Sequence, residues 1–419
     1  MVFSMNFCSF SARSLLKKGC NSPVFLTNFC TLAGVEFGGF RKIYYLCIVV
    51  ISEIFSQVVW RPWVMLRGVV GSFFLSVRPM HQPVDFVVTW VDGNDEAWRE
   101  EKRRCEARVS AVESLDKGSE RYRNWDLFFY WFRAVEQYAP WVNKVYLVTC
   151  GHVPAWLERG NPKLVVVKHS DFIPAECLPT FNSLAIELNL HRIKGLSEHF
   201  VYFNDDTILT NHVSPEDFFQ DGKPLVCSSA AYVLNSPDNG VFNHQLFSAV
   251  GLMNVYDWQK VIEKAPSKWF YYRYGAKLRY SWNAYKHKYL TGVYYTHMPQ
   301  AFRKSTFEKV WANHAEQLSA TCSHQFRTPM DVSHQVFSLQ EIADGSYVPM
   351  ARHHYGRIWT DIGADKDLFA ADIRRHRDKI VCVHDNHNIT AEGFEEVRRT
   401  VAQAFEDILP DACSFENRK

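Results

Sequence analysis

Two adjacent carboxylates, Asp205 and Asp206, follow directly on the apolar run Phe200–Phe203 in FVYFNDDTILT, residues 200–210. Side by side they repel one another, and a divalent cation is the simplest relief. The competing use of Asn204, Asp205 and Asp206 is a turn whose side chains bond nearby backbone groups. The arrangement recurs. TWVDG at 89–93 and IVCVHDN at 380–386 are again strand-like runs that end in a carboxylate and a turn residue. Open α/β sheets place ligands at the carboxyl ends of their strands, so Asp92, Asp206 and Asp385 would share one polyphosphate or metal site if a sheet brought those ends together.

The elements that would position these groups can be read in order. VDFVVTW (84–90) has the β-branched and aromatic content of a strand, which Asp92-Gly93 turns. Residues 126–138 carry Leu127, Phe128, Trp131, Val135 and Tyr138 at helical spacing before Pro140. KVYLVT (144–149) and KLVVVKH (163–169) are two more strands, with a short helix expected between them at Pro154–Leu157. Asn182 or Ser183 can cap a helix running to about Arg192, which sets Leu184, Glu187 and His191 on one face before Gly195 ends it. The alternation of strand and helix argues for an α/β domain with a mostly parallel sheet covered on both faces.

The domain is expected over 83–389, with an aromatic-rich helical insertion at about 245–320. The aromatics of 256–295 read as core packing or as a platform for sugar rings. From 390 onward a closing amphipathic helix sets Phe394, Val397, Val401, Phe405 and Ile408 on one face before Pro410.

Composition narrows the partners. A formal net charge of +2 conceals a basic N-terminus, where Arg13, Lys17, Lys18, Arg41, Lys42, Arg61, Arg67 and Arg78 face only Glu36 and Glu53. The remainder is mildly acidic, which excludes the phosphate-neutralising footprint of a nucleic-acid binder. The eleven cysteines are scattered and form no C-x-x-C pair, so neither a zinc motif nor a disulfide framework is signalled and a reducing cytoplasm is expected. Ile43–Trp60 is apolar and flanked by Arg41, Lys42 and Arg61, but Glu53 interrupts it. Residues 1–82 therefore read as a leader or membrane-surface anchor that would make the protein peripheral to the inner face of the membrane, rather than as a transmembrane helix. A translation start at Met65 or Met80 is the other reading of this stretch.

VVTWVDG, APWVNKVYLVT, LPTFNSLAIELNLHRIKGLSEHFVYFNDD, the HMP and SHQFR elements at 297–299 and 323–327, and CVHDN resemble, in order, the four conserved regions of the Stealth protein family. That family includes bacterial capsular polysaccharide phosphotransferases and is similar to the catalytic part of animal GlcNAc-1-phosphotransferase. The resemblance implies a GT-A-like fold that binds a nucleotide-sugar. It also implies transfer of hexose-1-phosphate to a hydroxyl of an oligosaccharide or polysaccharide with release of nucleoside monophosphate, and a requirement for Mg2+ or Mn2+. Its catalytic positions fall on Glu187, Asp206, His297 and Arg327.

The chemistry of those residue types agrees with the implied reaction. A metal held by Asp206, with Asp385 and Asp205, would neutralise the diphosphate, and the guanidinium fork of Arg327 would grip phosphate oxygens. Either His297 or Glu187 would take the proton of the attacking hydroxyl. Asp92, Gly93, Asn204 and His191 are the expected substrate contacts. The chain departs from the family pattern at Asn124, Trp125 and His384. A glycosyltransferase releasing nucleoside diphosphate and a non-catalytic carbohydrate-binding protein are the rival readings.

Overall fold

The computed structural model describes residues 82–108, 125–234, 240–384, 389 and 391–417. Ile43–Trp60 and Asp385 lie outside them. Among the described residues no helix is long and apolar enough to cross a membrane, and the seven described cysteines are free thiols.

The first half runs β1 (Val84–Thr89), α1 (Glu96–Glu106), α2 (Phe128–Tyr138), β2 (Val145–Thr149), β3 (Leu164–Lys168), α3 (Ser183–Leu188), β4 (His199–Asn204) and β5 (Thr207–Leu209). Then follow β6 (Phe219–Gln220), β7 (Lys223–Val226), α4 (Gly240–Met253), α5 (Trp258–Lys264), α6 (Pro266–Trp269), α7 (Leu278–His287) and β8 (Gln300–Arg303). The chain closes with α8 (Lys304–Ser323), α9 (Gln335–Asp344), β9 (Val348–Pro349), β10 (Ile358–Trp359), α10 (Ile362–Arg374), β11 (Ile380–Val383) and α11 (Ala391–Ile408).

The central sheet has the order β3-β2-β1-β4-β8, with the first four strands parallel and β8 antiparallel to β4. Alternation within the strands feeds two cores. Phe86, Val88, Val201 and Phe203 pack with α2 and α11 on one face, whereas Val87, Phe200 and Tyr202 pack with α9 on the other. Burial on both faces explains why these strands read as continuous apolar runs.

One buried carboxylate fixes the opposite end of the sheet. Asp85, fully buried in β1, accepts from Asn143 Nδ2 at 2.7 Å, Lys144 N at 3.2 Å and Ser197 N at 2.7 Å, which ties the starts of β1, β2 and β4 together. Three donors meet the cost of burying that charge.

Four local expectations are corrected. Pro154–Leu157 is a turn closed by Leu157 N donating to Pro154 O, at 3.1 Å, rather than a helix, because its backbone pairs with the C-terminal segment instead, Asn417 N donating to Trp156 O and Glu158 N to Phe415 O, both at 2.8 Å. Within 245–320 helices do dominate, but Gln300–Arg303 is the fifth strand of the central sheet. The α-helix of α3 stops at Leu188 and continues only as a 3-10 turn over Leu190–Arg192. Finally, the IVCV run is a strand of a separate three-stranded sheet, order β10-β11-β5, in which β11 is antiparallel to β5.

Candidate active site

The chain leaves β4 at Asn204, turns through Asp205 and Asp206, and enters β5 at Thr207, whose Oγ1 donates to Asn204 O at 2.7 Å. Antiparallel pairing of β5 with β11 brings Val383 N to donate to Asp206 O at 2.9 Å. The two carboxylates therefore sit where the central sheet ends and the small sheet begins.

The Asp206 side chain faces a histidine from the other half of the chain. His297 Nε2, on the segment leading into β8, lies 3.1 Å from Asp206 Oδ2 and 3.4 Å from Asn204 Nδ2. Cys382 Sγ donates to the same Asp206 Oδ2 at 3.5 Å. Oδ1 of Asp206 is shielded from solvent and has no hydrogen-bond partner among the described residues.

Glu187 is joined to this pair through β4. The Tyr202 hydroxyl lies 3.2 Å from Glu187 Oε1, 3.0 Å from Asn204 Oδ1 and 3.1 Å from Thr89 Oγ1, so one phenolic proton serves the network. The other oxygen of Glu187 accepts from His334 Nδ1, at the start of α9, at 2.5 Å. Glu187 and His334 expose only 6% and 7% of their side chains, against 33% for His297 and 28% for Asp206. Arg327 donates to Ser183 Oγ at 2.5 Å, and its charge acts on both Glu187 and His297. Hydrogen bonds thus run from His334 through Glu187 and Tyr202 to Asn204, whose amide nitrogen lies 3.4 Å from Nε2 of the His297–Asp206 pair, with Arg327 beside them.

Electrostatics sort these groups. Burial alone would raise the pKa of Asp206, but the charge and hydrogen bond of His297, with His384 nearby, hold it below the usual carboxylate value. Burial would likewise depress His297, yet Asp206 outweighs it and the imidazole pKa rises. Glu187 is held low against its burial by His334 and Arg327. Asp205 moves the other way. Although its side chain opens to solvent, crowding by the surrounding protein and the Asp206 charge push it up to about 7. The pair therefore accepts its first negative charge on Asp206 and resists a second. An orphaned buried oxygen beside a carboxylate that resists ionisation fits a hard divalent cation with oxygen ligands.

The structure brings Glu187, Asn204, Asp205, Asp206, His297 and Arg327 into this neighbourhood. Asp92 and Gly93 follow β1, the strand next to β4, but their hydrogen bonds go to groups outside the cluster. Asp92 Oδ1 accepts from Asn94 N at 2.8 Å, Asp92 N donates to His152 Nε2 at 2.8 Å, and Gly93 O accepts from Arg99 Nε at 2.5 Å. His191 is not part of the cluster. Because α3 ends early, its ring turns onto Phe307 and Trp311, with centroids 5.6 and 6.0 Å away, and burial lowers its pKa to about 4. Sequence reasoning missed Tyr202, His334 and Cys382. Tyr202 carried a usable signal, since strand alternation places it on the same face as Asn204. Nothing in the sequence sets His334 apart from the other sixteen of the seventeen histidines.

The chain matches the models for Stealth protein CR1, conserved region 1, at residues 82–110, CR2, conserved region 2, at 121–226, and CR3, conserved region 3, at 296–339. Glu187 and Asp206 fall in the second of these, and His297, Arg327 and His334 in the third. It is 35% identical over 338 residues to capsular polysaccharide phosphotransferase WcwK of Streptococcus pneumoniae, covering 80% of this chain and 99% of that protein. Receptor polysaccharide phosphotransferase WefC of Streptococcus gordonii is 36% identical over 80% of this chain and its own full length. Exopolysaccharide phosphotransferase cps2G of Lactiplantibacillus plantarum is 35% identical over 80% of this chain and 96% of that protein.

Proposed function

The chain belongs to the Stealth protein family, and from that premise we propose that it is a phosphotransferase of polysaccharide synthesis that moves hexose-1-phosphate from a nucleotide-sugar to a sugar hydroxyl. Sugar-phosphate transfer to a polysaccharide acceptor follows from the relatives; the nucleotide-sugar donor, the released monophosphate, the metal and the residue roles are our reading. The observation that carries it is the Asp206–His297 contact of 3.1 Å at the end of β4, beside Asn204, which Tyr202 joins by hydrogen bonds to Glu187. The mostly parallel sheet, with the candidate groups at the carboxyl ends of β1 and β4, supports a GT-A-like reading of the fold.

In this reaction the acceptor oxygen forms a bond to the sugar-bearing phosphorus. The bond from that phosphorus to the bridging oxygen breaks, and nucleoside monophosphate leaves with the electron pair. The hydroxyl proton goes to a base. His297 suits that role because its side chain reaches solvent, whereas Glu187 is sealed behind Tyr202 and His334 and cannot meet an acceptor. Asp206, accepting Nε2–H, orients the imidazole and stabilises its protonated form, leaving Nδ1 to receive the proton. Glu187 then acts as a positioning group whose negative charge stabilises Arg327 and His297. Arg327 carries the fork of donors that phosphate oxygens require.

Asp206 through Oδ1, with Asp205 and Asp385, would hold Mg2+ or Mn2+. When bound, such an ion neutralises the donor diphosphate and the departing monophosphate.

Purified protein incubated with a panel of nucleotide-sugars, divalent cation and oligosaccharide primers should release nucleoside monophosphate. Asp206→Asn and His297→Ala should each abolish that release while the thermal unfolding profile stays cooperative. Nucleoside diphosphate as the product, or wild-type rates in either variant, contradicts the assignment.

A further inference from the structure

Cys382 has no place in the proposed transfer, yet its thiol points at the central carboxylate. Sγ lies 3.5 Å from Asp206 Oδ2, the same oxygen that His297 Nε2 approaches to 3.1 Å, and the three ligand atoms all lie within 4.8 Å of one another. A tetrahedral ion with bonds of about 2.0 Å to oxygen, about 2.0–2.1 Å to nitrogen and about 2.3 Å to sulfur sets oxygen–nitrogen and oxygen–sulfur edges of about 3.3 and about 3.5 Å. The observed spacings already match those edges. The three groups come from different elements: Asp206 from the β4–β5 turn, His297 from the approach to β8, and Cys382 from β11.

We propose that Asp206, His297 and Cys382 form a three-ligand site for a borderline-soft divalent cation of the zinc class. Its ligand chemistry differs from that of the oxygen-liganded position expected for Mg2+ or Mn2+. Mg2+ selects carboxylate, carbonyl and water oxygens, whereas a thiolate and an imidazole select Zn2+, Co2+ and similar ions. Cys382 is buried at the back, and Asp206 and His297 reach solvent in front, so an ion arrives from the front and its fourth position stays open to water or a phosphate oxygen. Binding releases the thiol proton to solvent, and the imidazole presents the Nε2 lone pair with its remaining proton on Nδ1. Such an ion occupies the Asp206 oxygen and the His297 nitrogen that the transfer uses. Zn2+ at this position therefore opposes turnover, a consequence that rests on the proposed function, although the binding itself does not.

The test reads binding directly. Chelator-treated full-length protein is titrated with Co2+, and the near-ultraviolet thiolate-to-cobalt absorption and visible four-coordinate bands are followed; Zn2+ is then added in competition. Wild type should show both features and lose them to Zn2+. Cys382→Ala should lose the thiolate absorption, and its Zn2+ affinity should fall roughly 100-fold, the upper end of what loss of even a supporting group costs. The difference spectrum between wild type and Cys382→Ala removes contributions from the other cysteines, including Cys150 beside His152. His297→Gln, a change at a solvent-reaching side chain, should weaken Zn2+ similarly and answers the question if Cys382→Ala does not fold. Unchanged thiolate absorption in Cys382→Ala, wild-type Zn2+ affinity in either folded variant, or a wild type without that absorption overturns the site. Protein that shows the absorption but never transfers sugar phosphate would refute the proposed function and leave the site standing; active protein without it does the reverse.

Discussion

Glu187 and His334 allow the candidate site to be tested without knowledge of the substrate. His334→Gln removes the main partner of a carboxylate that exposes 6% of its side chain. Stripping one member from a buried pair costs about 3–5 kcal/mol, because the other charge stays buried. The Tyr202 and Ser183 hydroxyls and the Arg327 charge still support Glu187, which places this variant near the lower end, about 3 kcal/mol. Glu187→Gln abolishes the charge and should cost less, about 1–2 kcal/mol. In the double variant no charge is stranded, so its loss should fall short of the sum of the singles by at least about 1 kcal/mol.

Denaturant unfolding of the four proteins measures the cycle, and its pH dependence supplies a second readout with a definite sign. In wild type the folded pKa of Glu187 is depressed, so its contribution is present above the unfolded value near 4.5 and is lost as pH falls through the folded value. Without His334 the burial that raises the pKa is opposed only by weaker partners. The contribution from Glu187 should then shrink or reverse, giving stability at low pH that is lost as pH rises. Additivity within about 0.5 kcal/mol, together with an unchanged acid limb, would refute the idea that the two groups act as one unit.

Two further expectations concern the scaffold. Burial lowers the His191 pKa from 6.5 to about 4, so the unfolded chain binds a proton in that window that the native chain does not. Stability should therefore fall as pH drops from about 6.5 to 4, by at most ~3 kcal/mol and by less where solvent reaches the ring; His191→Phe, which keeps packing on Phe307 and Trp311, should flatten that limb, and an unchanged slope contradicts the assignment. Asp85→Ala strands the donors of Asn143, Lys144 and Ser197 and should cost about 3 kcal/mol or more in urea unfolding; a loss under about 1 kcal/mol would show that this carboxylate does not hold the strand starts together.

How far the sequence revealed the site depended on whether local pattern fixes a side chain's direction. In β1, β2 and β4 it does: β-branched and aromatic runs with turn residues behind them gave the strands within a residue or two, and with them the place of Asp205 and Asp206. In α3 it does not. Helical spacing set Glu187 and His191 on one face, but the change to a 3-10 turn after Leu188 sends His191 to Phe307 and Trp311 and leaves Glu187 with Tyr202. The IVCV run was legible as a strand and illegible as to partner, because alternation of period two names no neighbour. Its antiparallel pairing with β5, continued by Val383 N donating to Asp206 O, is a long-range choice, and that choice turns Cys382 toward Asp206. A one-residue slip in this register would carry the thiol to the opposite face and put Val381 or Val383 in its place. Both the thiol beside Asp206 and the position of the carboxylate itself thus depend on three residue pairs between two strands of a small second sheet.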